Sequence, residues 1–121
     1  MSQGGGDRAL FLRASRDIEY VKQHGRRVST PLFNILVCRA EDGCNSRVGI
    51  VVGKRFGIAV RRNRAKRLFR ELTRQVRMDL VSDHDLLVFP KREVLNLSFD
   101  ELRTAWLSVL RRQGVLRSRE E

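Results

Sequence analysis

The stretch AVRRNRAKRLFRELTRQVR, residues 59–77, decides how this chain folds. Its apolar residues recur at steps of three, one, three and four, so at about 100° per residue they line one side of a helix. Those residues are Ala65, Leu68, Phe69, Leu72 and Val76. The opposite arc is basic and consists of Arg62, Lys66, Arg67, Arg70, Arg74 and Arg77. The pattern predicts an amphipathic helix from Ala59 with a basic outer face.

The positive charge of the chain is concentrated on this helix and the residues just before it. Twenty-five Lys and Arg against 14 Asp and Glu give a formal charge of +11. Between Lys54 and Arg77 lie ten basic residues and one acid, Glu71, so this segment carries +9 and the other 97 residues +2. In a solvent-exposed helix, side chains four residues apart usually carry opposite charges, whereas here Arg62, Lys66 and Arg70 carry the same charge at that spacing. We therefore expect a nucleic acid bound in a fixed orientation rather than a merely soluble face.

Three strands are predicted around the helix. Pro31–Arg39 is a dense β-rich run, and the turn-forming residues 40–46 lead to Arg47–Lys54, where alternate apolar residues share one face. We expect these two strands to pair as a hairpin. A continuous apolar run closed by proline, Asp85–Pro90, predicts the third strand.

Two further helices complete the prediction. Ser15 is placed to cap a helix through His24, and Ser98 with Glu101 forms a capping box before a helix that ends near Gly114. The order α-β-β-α-β-α indicates an α+β fold, a two-layer α/β sandwich with one mixed sheet. Residues 1–7 are expected to be a flexible lead-in, 8–116 a single RNA-binding domain, and 117–121 a flexible tail.

Composition excludes several other classes of protein. No run approaches the about 18 apolar residues that span a bilayer, and Met1–Ser15 lacks the apolar core of a signal peptide. We therefore expect a cytoplasmic protein in which Cys38 and Cys44 stay reduced. Two cysteines without nearby histidines do not make a zinc site.

No catalytic constellation is visible. The Gly49 to Gly53-Lys54 spacing is one residue short of a phosphate-binding loop, and Arg55 replaces its hydroxyl residue. His24 and His84 have no partner at motif spacing. The nearest candidates for a self-sufficient nuclease are Asp79, Asp83 and Asp85, which lie in or near a polar connection where acids are ordinary.

Aromatic side chains offer a second way to bind unpaired RNA. Phe33 on the first strand and Tyr20 on the first helix could stack on bases. For Phe33, packing in the core is the stronger expectation from the residues alone.

The run Arg47-Val48-Gly49-Ile50-Val51-Val52-Gly53-Lys54-Arg55, followed by Ala59-Val60-Arg61-Arg62-Asn63-Arg64-Ala65-Lys66-Arg67, resembles the signature of bacterial ribonuclease P proteins. That pattern joins a strand R-[IV]-G-x-x-V-x-K-[KR] to a helix x-A-V-x-R-N-R-x-K-R-x-x-R-E. Looser agreement extends the resemblance to the first strand, the third strand and the final helix. The resemblance also implies a left-handed crossover between parallel strands, against the usual right-handed preference.

The resemblance implies a protein cofactor for a ribozyme. In that family the RNA subunit, with Mg²⁺, hydrolyses the bond between the 5′ leader and the mature end of precursor tRNA. The implied partners are the RNase P catalytic RNA and precursor tRNA, with no membrane, no small-molecule substrate, and a protein monomer or weak oligomer. The alternative is a ribosomal or chaperone-like RNA-binding protein without a cleavage role.

Site residues follow from the resemblance and from the basic arc. We expect the ribozyme RNA to contact Lys54, Arg55, Arg61, Arg62, Asn63, Arg64, Lys66, Arg67 and Arg70. The implied cleft for the leader lies between the first helix and the sheet and involves Ile18, Lys22, Phe33, Val52 and Lys54. Ile18 and Lys22 stand where relatives commonly carry aromatic residues, so an ionic grip through Lys22 would replace stacking. No catalytic residue or direct metal ligand is expected in the chain.

Overall fold

A computed structural model describes residues 10–40, 46–81 and 83–117. The helices are α1 (Ser15–His24), α2 (Ala59–Val76) and α3 (Phe99–Arg112). The strands are β1 (Arg26–Ser29), β2 (Phe33–Arg39), β3 (Arg47–Ile50) and β4 (His84–Pro90). Short 3₁₀ turns span Lys54–Phe56, Arg77–Asp79 and Arg92–Asn96. The predicted flexible ends lie outside the described residues except for Arg117.

The four strands form one mixed sheet in the order β1-β2-β4-β3. β2 pairs antiparallel with β1 and β4, and β3 pairs parallel with β4. The predicted hairpin between residues 31–39 and 47–54 is therefore wrong, because β4 lies between those strands. β4 is apolar on both faces, which suits a central position in a sheet. The α+β class and the mixed sheet are confirmed.

Helix α2 connects β3 to β4, which are parallel neighbours. The left-handed sense of this crossover stays a prediction. Gly49 lets the chain before α1 lie close to the sheet, since a Cβ there would sit 2.6 Å from Leu87 Cδ2 and 3.2 Å from the Leu12 carbonyl oxygen. The same glycine therefore belongs to a packed strand, not to a nucleotide-binding loop.

Helices α2 and α3 cover one face of the sheet. The predicted stripe of α2 is confirmed: Ala65, Phe69, Leu72 and Val76 are buried, and Leu68 packs beside them. At the centre, Phe69 and Trp106 meet Phe33 edge-on, with ring centroids 5.5–5.8 Å apart. The capping box of Ser98 and Glu101 is also confirmed, with bonds of 2.9 and 3.1 Å.

Helix α1 packs on the opposite face of the sheet and adds a partial third layer to the predicted sandwich. Its fully buried Val21 joins a small second cluster with Leu12, Cys38 and Leu87. Ser15 is the first helical residue and not the cap, because Ala14 occupies the capping position and forms no side-chain bond there. α1 therefore depends on packing against the sheet for its stability.

Candidate nucleic-acid interface

The basic helix α2 starts from a tightly specified turn. Phe56 is buried in the main core and anchors the Lys54–Phe56 turn that follows β3. Gly57 then adopts φ 150° and ψ −164°, a backbone region that is essentially restricted to glycine. The turn leaves Lys54 and Arg55 exposed beside the first residues of α2. Sequence reasoning missed Gly57, because its backbone angles depend on how β3 meets the helix.

Helix α2 carries five cations that have no acidic partner in the described part of the chain. Among the residues that the structure describes, no carboxylate forms an ion pair with these side chains. They are Arg61, Arg64, Lys66, Arg67 and Arg70. Further along the helix, Arg74 lies 3.6 Å from Glu71 and its guanidinium carbon is 5.7 Å from the Phe11 ring centroid. Free positive charge is thus concentrated in the first three turns.

Arg62 differs from the other predicted RNA contacts. Like Lys66 it is half-buried, but its Nη1 also donates a 2.6 Å hydrogen bond to the Gly57 carbonyl oxygen. This bond ties the first turn of α2 to the preceding loop, and it uses one of the five N–H donors of the guanidinium. Asn63 is exposed next to it. Arg62 therefore has a structural role in addition to any RNA contact.

A groove of about 490 Å³ lies between the end of α1 and the sheet. Its lining residues are Lys22, Gly25, Arg27, Asn34, Ile35, Leu36 and Phe89. Strand register explains the set, because Arg27 pairs with Leu36 and Asn34 pairs with Phe89. The groove combines a half-buried aromatic ring with two exposed cations. We call it the sheet groove.

Two residues predicted for the leader cleft lie elsewhere. Phe33 is 0% exposed and belongs to the core on the α2–α3 side, and Val52 packs against that same core. A leader contact for Phe33 is therefore wrong, because a fully buried ring cannot reach the RNA, whereas Val52 is partly exposed and its role stays a prediction. Successive residues of a strand point to opposite faces, so Asn34 and Leu36, not Phe33, face the groove. Phe89 supplies the aromatic ring that sequence reasoning had assigned to Phe33.

The remaining predicted cleft residues occupy three different positions. Lys22 lines the sheet groove, whereas Lys54 is exposed after β3. Ile18 lines a second groove of about 430 Å³, next to β3 and the chain that precedes α1. Its remaining lining residues are Phe11, Leu12, Arg13, Val48, Ile50, Arg70 and Arg74. Tyr20 lines neither groove and stacks on His24, with ring centroids 4.1 Å apart.

An ion pair fastens α1 to the sheet. Arg47 donates to both carboxylate oxygens of Asp85, at 3.1 and 2.9 Å, and lies 3.3 Å from Asp17 of α1. The hydrogen bond to Asp85 is the main cause that raises the pKa of Arg47 further above its ordinary value. The Asp85 carboxylate is therefore held in this ion pair. Asp79 and Asp83, the other two acids considered for a nuclease, also have interaction partners. Within the described ranges, no three His, Cys, Asp or Glu side chains are placed to hold a metal ion.

Cys38 lies beneath α1 in the second cluster. Burial, and secondarily the negative charge of Asp85, raises the pKa of its thiol. Cys38 is a free thiol in the described part of the chain, and Cys44 lies outside it, so the reduced state of the two cysteines stays a prediction. None of the helices in the described part of the chain is long and apolar enough to cross a membrane.

Comparison with known proteins identifies the family. A family model for Ribonuclease P matches residues 7–114. The ribonuclease P protein component of Finegoldia magna is 31% identical over 106 residues, which cover 88% of this chain and 92% of that protein. The RNase P protein from Thermotoga maritima superposes with a TM-score of 0.75 at 31% identity, covering 84% of this chain and 96% of that one. A Staphylococcus aureus RNase P protein mutant with defective mRNA degradation activity gives a TM-score of 0.82 at 22% identity, covering 92% and 93%, and supports the fold alone. The chain belongs to the ribonuclease P protein family.

Proposed function

We propose that this chain is the protein subunit of a ribonuclease P holoenzyme in the cytoplasm. It binds the catalytic RNA and the 5′ leader of precursor tRNA, and so assists the Mg²⁺-dependent hydrolysis that releases the mature 5′ end. The observation that carries this proposal is the set of five basic side chains on α2 that have no carboxylate partner among the described residues. Phosphates of the RNA subunit would neutralise that charge.

The face of α2 is suited to a folded RNA. Arg61, Arg64 and Arg67 present planar guanidinium groups, which can take two phosphate oxygens at once or stack on a base. Lys54 and Arg55 extend the same positive surface toward the sheet. Because the helix is fixed to the core through Phe69 and Leu72, its cations keep a constant spacing.

The sheet groove is suited to the leader in extended form. Phe89 offers a half-buried ring for one base, and Lys22 and Arg27 can contact the neighbouring phosphates. Lys22 also lies 3.6 Å from Glu19, an exposed pair that a phosphate can displace at little cost. We propose this set, with Phe89 and Asn34 in place of Phe33 and Val52, as the leader contact.

Mg²⁺ belongs to the RNA subunit in this proposal. The described residues do not fit a metal site of the protein, since Asp85 is held by Arg47 and the outer face of α2 is cationic. No step of the reaction is assigned to the protein side chains. The protein contributes charge, position and a groove, and it acts as a monomer or weak oligomer.

Reconstitution tests the proposal. The purified chain is mixed with RNase P catalytic RNA and precursor tRNA at low Mg²⁺, and leader removal is measured with each component omitted in turn. We expect cleavage only when both the RNA and the protein are present. Cleavage by the protein without the RNA, or no gain on adding the protein, would contradict the proposal.

A variant pair tests the role of the α2 face. Arg64→Lys keeps the charge but loses the planar fork, so we expect weaker rescue of cleavage with folding intact. Arg111→Ala, which removes an exposed cation from α3, is the control and should leave rescue unchanged. Full rescue by Arg64→Lys would mean that charge alone matters.

A further inference from the structure

Two large apolar side chains project into solvent where α2 begins. Ile58 is 67% exposed and Val60 is 71% exposed. Ala59 between them is exposed as well. We call Ile58 and Val60 the apolar tip. Residues two apart at the start of a helix do not face each other, so Ile58 and Val60 lie on different sides of the first turn of α2. Each is an exposed aliphatic side chain close in sequence to cations that are unpaired among the described residues.

Helix stability does not account for Ile58. It occupies the N-cap position of α2, and its side chain forms no hydrogen bond there. Ser, Thr, Asp and Asn are preferred at this position, and isoleucine is among the poorest residues for it. The first turn of α2 also contains no acidic residue. A polar residue at position 58 would therefore make the helix more stable.

The surroundings of the apolar tip indicate what covers it. Lys54 and Arg55 precede it, Arg61 and Arg64 follow it, and all four are exposed without a carboxylate partner in the described part of the chain. An apolar protein surface docked there would bury these cations unpaired, at a high cost. RNA offers the matching combination, because an unpaired base presents an apolar face and is flanked by phosphates on both sides.

We propose that Ile58 and Val60 each contact the face of an unpaired base in the RNA subunit, one on either side of the start of α2, while the neighbouring cations bind the adjacent phosphates. This inference rests on the proposed function and adds a contact that does not depend on charge. Apolar contact releases no counterions, so its contribution to affinity persists at high salt. The cations determine how steeply affinity falls with salt, and the apolar tip raises affinity equally at every salt concentration.

The test uses the double variant Ile58→Ser, Val60→Ser, which leaves the net charge unchanged. Its affinity for the catalytic RNA is measured over a series of salt concentrations. We expect binding about fivefold weaker or more at every concentration, with an unchanged slope of log affinity against log salt. Met78→Ser is the matched control, because Met78 is 79% exposed in the turn that follows the far end of α2, and it should bind like the wild type.

Unfolding measurements separate this role from a structural one. Ile58→Ser alone should unfold at a higher temperature, because serine can cap α2, and yet bind RNA more weakly. A stability gain with wild-type affinity in both the single and the double variant would overturn the inference. The inference would also be overturned if the double variant lost self-association and kept wild-type affinity for RNA. The apolar tip would then be a contact between two copies of the chain.

The failure of this inference and that of the proposed function are distinguishable. If wild-type protein binds and rescues the catalytic RNA, and Arg64→Ala reduces the salt slope while the double variant has no effect, only the inference fails. If wild-type protein neither binds nor rescues the RNA, the proposed function fails first.

Discussion

The two faces of the sheet differ in how completely they are covered. The face that carries Phe33, Ile35 and Val88 lies under the 18 residues of α2 and the 14 of α3, and these three side chains are fully buried. The other face carries Asn34 and Phe89 under α1, which has only ten residues. We call them the closed face and the open face.

This difference separates core residues from residues of the proposed leader groove at the level of single positions. Phe33 and Asn34 are neighbours in β2, and Val88 and Phe89 are neighbours in β4, yet one of each pair fills the core and the other lines the sheet groove. Because side chains alternate along a strand, a core residue and a residue of the proposed leader groove are one position apart. Substitutions on the two faces should therefore produce different kinds of defect.

The largest effect is expected from Phe33→Ala on the closed face. The ring is fully buried and contacts Phe69 and Trp106 edge-on, so its removal leaves a cavity. We expect a loss of about 3–5 kcal/mol in the free energy of unfolding. Urea denaturation followed by circular dichroism measures it. A small loss would mean that the closed face does not carry the stability.

The next effect is expected where α1 is fastened to the open face. Asp85→Asn replaces a carboxylate that accepts two hydrogen bonds from Arg47, and should cost about 2 kcal/mol of unfolding free energy. The control is Asp17→Asn, which affects the more exposed partner of the same arginine and should cost about 0.5 kcal/mol. Equal costs in urea denaturation would show that burial of Asp85 does not strengthen the pair.

A smaller effect on stability, but a specific effect on binding, is expected from Phe89→Leu on the open face. Leucine keeps the residue apolar, so the unfolding free energy should fall by less than about 1.5 kcal/mol. Loss of the ring should weaken binding of precursor tRNA by about 1–3 kcal/mol if one base stacks there. Binding of mature tRNA, which lacks the leader, is the internal control. An equal loss for both RNAs would exclude Phe89 from leader recognition.

The sequence was most informative where a structure depends on residues close together in the chain. The period of 3.6 and the separation of charge predicted α2, and the spacing of Ser98 and Glu101 predicted the start of α3. Both features act within one or two helical turns. The cationic outer face, which is the main part of the site, was predicted for the same reason.

The sequence was least informative where one segment depends on a distant one. β1 is a short edge strand of largely exposed residues, and its pairing with β2 was missed because the partner supplies the pattern. The false hairpin arose because chain order suggested β3 as the neighbour of β2, whereas the doubly apolar β4 occupies that place.

The error at Phe33 has a different origin. The resemblance placed Phe33 in the cleft, although the alternation of Phe33, Ile35 and Val37 already favoured the core. The same alternation would also have identified Asn34 and Leu36 as residues of the opposite face, which lines the sheet groove. The backbone of Gly57 and the bond from Arg62 to its carbonyl could not be predicted, because they depend on how the end of β3 meets α2.

The smallest effect concerns Cys38, which reports whether α1 stays over the open face. Burial raises the pKa of its thiol, so the folded state binds this proton more tightly than the unfolded chain does. The resulting contribution to stability is complete below the ordinary thiol pKa and is lost as pH rises through the pKa of the folded state.

In a Cys44→Ser background, alkylation near pH 8, at about the ordinary thiol pKa, should be much slower for folded protein than for protein in urea. Mass spectrometry over time measures both rates. Equal rates would mean that α1 does not remain over Cys38, and the sheet groove would then lack the wall that Lys22 provides.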